Sequence, residues 1–213
     1  MNHTVLLCRR SADLERLHDL AVASGLAVVG LAQTVDAARD MVLSRRPNLL
    51  ICEPQAAEGS ALALVRELRE LREAGEKLNI LVDARSETRA QVLWDLLCAG
   101  ADSCWTPDAQ ATLAQASAQV LQGGASLSQA MARRVLDHFH PRGGPATAFD
   151  EMRSPLNLSR AERDLLVLLA QGQRLDAIAQ AQALRPLGLA QRVRAIHAKL
   201  RWAASSSALS LAA

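Results

Sequence analysis

Four charged residues stand where short apolar runs end. Arg9 and Arg10 follow Val5–Cys8, Glu53 closes the run Leu49-Leu50-Ile51-Cys52, and Asp83 closes Asn79–Asp83. Thr106 and Pro107 follow a fifth run, Ser103–Trp105. Glu53, at the end of the apolar core of RPNLLICEPQ, reads as an acid delivered by a buried strand to the edge of a site. Two guanidinium groups beside two carboxylates balance without a metal. They also repel a cation such as Mg2+, which requires oxygen ligands in a near-octahedral array. Three arrangements fit these residue types: an internal ion-pair network, surface charges without defined pairing, worth roughly 0–1 kcal/mol per pair, or a seat for a small anion between Arg9 and Arg10. No nucleophile–base set, metal-ligand cluster or phosphate-cradling glycine loop occurs, so neither an enzyme nor a cofactor is expected.

The elements that would gather these groups can be read from hydrophobic periodicity. Candidate strands are Val5–Cys8, Ala27–Leu31, Leu49–Glu53, Asn79–Asp83 and Ser103–Trp105. Between them lie amphipathic helical patterns. Ser11–Ser24 aligns Leu14, Leu17, Leu20 and Ala21, and Ala61–Ala74 aligns Leu64, Val65, Leu68 and Leu71. Strands alternating with helices predict a parallel sheet covered on both faces, an α/β flavodoxin-like doubly wound domain. Its functional crevice lies at the carboxyl ends of the strands, where the charged residues fall.

The organisation then changes. After Gly123-Gly124 a helix is predicted over Ser126–Phe139, and HPRGGPATAFDEMRSP follows with three prolines and two adjacent glycines. The remaining residues carry no strand pattern. They read as four short helices, Arg160–Ala170, Arg174–Ala181, Pro186–Arg201 and Ser205–Leu211. Ser159 with Glu162 forms a capping box, Gly172 suits a helix end, and Ser205-Ser206-Ser207 suits an N-cap. The division is 1–124, a linker at 125–155, and a small all-α domain at 156–213.

Charge separates the halves. Residues 156–213 hold eight Lys and Arg against three Asp and Glu, a net of +5; the whole chain carries +2, leaving −3 for residues 1–155. A basic helical domain tethered to a mildly acidic α/β domain points to nucleic acid at the C-terminal end. Only 2% of residues are aromatic and none is Tyr, which argues against stacking on single strands and for a helix in a duplex groove. Cys8, Cys52, Cys98 and Cys104 show no CxxC spacing and read as buried thiols of a reducing compartment. No run reaches the roughly 18 apolar residues of a membrane span. A cytoplasmic location and no membrane partner are expected.

At this point the sequence resembles a known family, the NarL/FixJ class of response regulators, in which a receiver domain, a linker helix and a LuxR-type helix-turn-helix follow one another. LSRAERDLLVLLAQG, Leu158 to Gly172, is similar to the opening of the DNA-binding domain; Ile178-Ala179 and Ile196 with Lys199-Leu200 fall in step with it. RPNLLICEP, CAGADSCW and SLSQAMARRVLDHF are similar to receiver and linker segments. The resemblance implies a two-component transcription regulator acting on double-stranded DNA as a homodimer, with a heterodimer with another response regulator as a further possibility. It also implies a degenerate phosphorylation site. The acidic pair that holds Mg2+ is Arg9 and Arg10, the phosphoacceptor position is Glu53, the Ser/Thr position is Asp83, and the Lys position is Pro107, or Thr106 if the loop shifts by one. Phosphoryl transfer relies on charge neutralisation by the metal, so phosphorylation at Glu53 and Mg2+ binding are not expected.

The reading helix departs as well. The family's Thr, Lys and His positions are Gly188, Ala190 and Arg192, and a Gly in a helix costs about 1 kcal/mol relative to Ala. Arg185, Gln191, Arg192, Arg194 and Lys199 remain as candidates for DNA. Two functions compete: an orphan DNA-binding regulator independent of phosphorylation, and an adaptor or antagonist of another regulator with weak or lost DNA binding.

Overall fold

The computed structural model describes residues 2–73, 77–85, 87, 89–106, 111–139 and 158–211. Five strands, β1 (His3–Leu7), β2 (Ala27–Ala32), β3 (Leu49–Cys52), β4 (Asn79–Asp83) and β5 (Ser103–Trp105), form one parallel sheet in the order β2-β1-β3-β4-β5. Helices α1 (Ser11–Ala23), α2 (Val35–Arg45), α3 (Ala61–Glu73), α4 (Ala90–Ala99) and α5 (Leu113–Leu121) connect and cover it. The near-continuous apolar strands are explained by burial on both faces. Val5, Leu7, Leu50, Cys52, Ile80 and Val82 pack with α2, α3 and α4; Leu6, Cys8, Ile51 and Leu81 pack with α1 and α5. Register pairs Leu7 with Cys52 and Asp83 with Trp105, so the chain following each of these strands emerges at one sheet edge.

The second half is helical: α6 (Gln129–Phe139), α7 (Arg160–Ala170), α8 (Leu175–Ala181) and α9 (Pro186–Leu211). The capping box at the start of α7 forms as expected. Ser159 Oγ accepts the Glu162 N–H at 3.3 Å, and Glu162 Oε2 accepts the Ser159 N–H at 2.6 Å. Gly172, at φ 86, takes the left-handed conformation that stops α7. Leu165, Leu166, Leu169, Ile178, Leu189, Val193, Ile196 and Leu200 build a core of their own.

Three expectations are corrected here. Arg174 caps α8 rather than opening it. Ser126 lies outside α6 and is held by hydrogen bonds to β5, its N–H on Ser103 Oγ at 3.0 Å and its Oγ on the Cys104 carbonyl at 3.0 Å. The two predicted last helices are one: α9 runs through Ser205-Ser206-Ser207, because flanking Ala and Leu sustain helix and Ser weakens it only slightly. Pro107, residues 140–157 and the linker boundary at 155 lie outside the described residues.

α6 is more than a tether. Ala132 and Val135 join the C-terminal core, while Met131 joins the core of the sheet domain. Arg133 Nε and Gln129 Nε2 donate to the Ala170 carbonyl, at 3.0 and 3.1 Å, satisfying an orphan acceptor at the end of α7.

Candidate functional site

At the sheet edge, Arg9, Arg10, Asp13, Glu53, Glu87 and Arg89 line a cavity of about 350 Å3. Glu53 Oε2 accepts the backbone N–H of Arg9 at 2.8 Å, so the contact does not use the Arg9 guanidinium. Burial pushes the Glu53 carboxyl above its ordinary range, opposed by that N–H and reinforced by Asp13 and Asp83. Arg10 Nε pairs with Asp13 at 2.6 Å. Asp83, buried, receives Arg85 through two bonds of 2.9 and 2.7 Å, and the Arg85 guanidinium lies 4.2 Å from the centre of the Trp105 ring. Glu87 and Arg89 pair likewise at 3.0 and 2.9 Å.

Arg9, Arg10, Glu53 and Asp83 therefore share an edge without forming the four-membered network. Arg10 and Asp83 each pair with a residue two or three positions away. Asp13 and Arg85 were not anticipated; the three-residue spacing of Asp13 from Arg10 was the available signal for the first, and no spacing rule signals the second. Thr106 follows β5 at the same edge, half-buried. The four cysteines are free, and burial raises every thiol, Cys52 and Cys104 to about 12 and Cys98 to about 11. These are inert packing groups.

The helix expected to read DNA is placed differently from a solvent-facing reader. α9 presents Leu189, Val193, Ile196 and Leu200 to the helical core. Its neighbouring face, Ala190, Arg194 and His197, is seated on the sheet domain. The Ala190 carbonyl accepts the Ala125 N–H at 2.9 Å. Gln191 Nε2 donates to the Gln122 carbonyl at 3.2 Å. Arg194 Nη2 pairs with Asp102 Oδ1 at 2.7 Å and reaches Asn79 Oδ1 at 3.4 Å. His197 Nδ1 lies 3.0 Å from the Asp102 carbonyl oxygen and therefore donates to it. Asp102 is fully buried, and its Oδ2 accepts the Ile80 N–H at 2.7 Å. A Cβ on Gly124 would come within 2.9 Å of Ala190 Cβ, so glycine permits this close approach.

Of the five candidate DNA contacts, three are engaged within the chain. Gln191 and Arg194 bridge to the sheet domain. Lys199 Nζ pairs with Glu162 at 2.6 Å inside the helical domain. Arg185 is exposed and Arg192 half-buried. Asp102 and His197 were missed. They lie 95 residues apart in the His197–Asp102 contact, which no local pattern signals.

A second contact lies beside the first. Trp94 on α4 meets His138 on α6 edge to face, ring centres 5.2 Å apart, and the Arg134 guanidinium lies 4.8 Å from the Trp94 ring centre. Arg134 Nη2 also donates to Gln91 Oε1. The seam between the halves thus runs along α4, the α4–β5 turn and the end of α5.

A five-stranded 2-1-3-4-5 parallel sheet followed by a small helical domain is a fold shared with solved response regulators. Solved structures confirm that fold at low identity. A LuxR-family two-component response regulator from Aurantimonas sp. SI85-9A1 is 20% identical over 64% of this chain and 96% of that one, with a TM-score of 0.55. RcsB from Salmonella enterica serovar Typhimurium, solved bound to promoter rprA with phosphomimetic BeF3-, is 15% identical over 97% of this chain and all of that one, with a TM-score of 0.52. The response regulator ChrA is 18% identical over 99% and 97% of the two chains, with a TM-score of 0.50. No protein-family model and no curated protein matches the chain. Among the described residues, no helix is long and apolar enough to cross a membrane.

Proposed function

We propose that this chain is a DNA-binding transcriptional regulator that acts without phosphorylation of its receiver domain. The observation that carries the second half of the reading is the occupied sheet edge. Arg9 and Arg10 stand where metal-holding carboxylates are needed, and Asp83 is closed by Arg85. The first half is supported by the receiver-plus-helix-turn-helix fold, by the +5 charge of residues 156–213, and by the duplex-bound state of RcsB, whose fold this chain shares. The chain works as a homodimer, the symmetric form suited to a near-palindromic site. The described conformation is closed, with one face of the reading helix on the receiver.

Two experiments test this. Incubation with acetyl phosphate and Mg2+ is expected to leave the intact mass unchanged; a gain of one phosphoryl group on Glu53 would refute phosphorylation independence. Selection from random duplexes is expected to enrich a near-palindromic motif for the wild type, and to lose it in an Arg185→Ala/Arg192→Ala variant. Lower salt should strengthen retention steeply, through counterion release. Heterodimer formation without DNA retention would favour the second reading, an adaptor that docks on another regulator. That reading is supported by the internal engagement of Gln191, Arg194 and Lys199.

A further inference from the structure

We infer that the seam between reading helix and receiver is an acid-released latch, in which His197 must be neutral for α9 to stay seated on Asp102. The inference concerns the regulation of the reading helix; only its consequence at DNA rests on the function proposed above.

The His197 ring is fully buried. Its Nδ1 donates to the Asp102 carbonyl, so a neutral ring leaves Nε2 without a proton, and Nε2 has no hydrogen-bond partner among the described residues. Protonation would place a proton on Nε2 with no acceptor among the described residues, and a charge in a site sealed from bulk solvent. The groups facing the ring do not help. Arg194 and Arg201 on α9 are both cationic. The Asp102 carboxylate from the α4–β5 turn is already engaged by Arg194 and the Ile80 N–H. Asn79 on β4 is neutral. Cys98 on α4 is a neutral thiol. Arg69 on α3, whose stem lies against Gly100, and Arg134 on α6 add further positive charge near the turn. His138, the other histidine of the seam, is beside Arg134 and Trp94, and burial lowers it as well, with Arg134 adding to the effect.

Once α9 leaves the receiver, this face of the helix meets water and His197 regains its ordinary basicity near 6.5. The closed form holds it down to about 4, through burial first and then Arg201 and Arg194, against the Asp102 hydrogen bond. The sign follows. A histidine lowered in the closed state binds its proton preferentially in the open state, so the closed form is favoured above pH 6.5 and loses ground as pH falls toward 4. Between pH 7.5 and 5 the open-to-closed ratio rises roughly 30-fold from His197 alone. His138 moves it in the same direction.

Two measurements on the full chain test the latch. In an NMR titration of the ring protons, His197 is expected to have a midpoint below 5; a midpoint near 6.5 overturns the proposal. The second is hydrogen exchange at the Ala125 amide, which the Ala190 carbonyl holds across the seam. Its protection is expected to fall roughly 30-fold between pH 7.5 and 5, and much less in His197→Asn, whose amide can replace the Nδ1 donor but does not titrate. The Ile51 amide in β3 should keep its protection throughout. Protection at Ala125 that ignores pH, or that falls equally in both proteins, overturns the proposal. If His197→Asn fails to close at either pH, the wild-type titration decides. Failure to bind any duplex, with the titration and exchange results intact, would remove the DNA reading and leave the latch standing.

Discussion

Asp102→Asn is expected to tighten duplex DNA binding by roughly 100-fold. In the closed form the Asp102 carboxylate is fully buried and neutralises Arg194, whose side chain is only 17% exposed. Asn keeps an oxygen for the Ile80 N–H but removes the charge that pairs with the Arg194 guanidinium across the seam. Breaking one member of such a pair costs about 3 kcal/mol. The penalty falls on the closed form alone, because Arg194 faces water once α9 is released. Apparent affinity scales with the fraction of competent chains, so a shift of this size appears directly in the dissociation constant until the population is fully open. Anisotropy titrations of a labelled duplex at fixed salt measure it, with small-angle scattering to follow the opening. Unchanged affinity together with an unchanged radius of gyration would show that the seam does not hold the reading helix. Opening without tighter binding would favour the adaptor reading. Arg194→Ala is a poorer choice, since it removes both the latch and a candidate phosphate contact.

Lys199→Met is expected to lower the melting temperature of the helical half by roughly 12–24 °C at pH 7. Glu162 is buried at the start of α7, accepts the Ser159 N–H, and relies on the Lys199 ammonium at 2.6 Å for neutralisation. Met keeps the packed stem and removes the charge, stranding the carboxylate at a cost of about 3 kcal/mol; a domain this small shifts by about 4–8 °C per kcal/mol. The effect depends on pH. Burial raises the Glu162 carboxyl, but its bonds to Lys199 and Ser159 outweigh burial and leave it below its ordinary range. A carboxyl depressed in the folded state contributes stability above its unfolded value near 4.3, and that contribution fades as pH falls through the folded value. The difference between wild type and variant should therefore be full at pH 7 and shrink in strong acid. Unchanged melting combined with weakened duplex binding would return Lys199 to the DNA surface and refute the structural role.

Much of the fold was legible in the sequence because its signals are local. Alternating strands and helices, each with its own periodicity, predicted the doubly wound sheet. β4 and β5 fall on their predicted residues, and the other strands end within two residues of expectation. The capping box at Ser159 and the turn at Gly172 were equally local. The continuity of α9 was not legible, since a serine triplet suits an N-cap and a helix interior almost equally well, and the neighbouring alanines decide. At the sheet edge, residue types identified the charged groups but not their pairing; Arg10 with Asp13 fits a three-residue helical spacing, whereas Asp83 with Arg85 fits no such rule. The seam was illegible for a different reason. Asp102 in CAGADSCW and His197 within an amphipathic helix each look ordinary, and only the folded chain brings them together. Ala190 at a lysine position reads as an eroded DNA contact, whereas the structure shows it as the small residue that lets Gly124 approach.

The placement of Trp94 makes the seam visible to light. The chain has three tryptophans and no tyrosine, so its near-ultraviolet emission comes from very few sources. Trp105 is sealed against Arg85 within the receiver, and Trp202 is 62% exposed on α9. Trp94 lies at the α4–α6 contact, beside the His138 imidazole and the Arg134 guanidinium. Both neighbours perturb an indole excited state, the imidazole more strongly when it is protonated, and both separate from the ring if α6 moves with the helical domain. The unmodified protein thus carries its own optical gauge of whether its two halves are joined, readable in a stopped-flow cell without a dye.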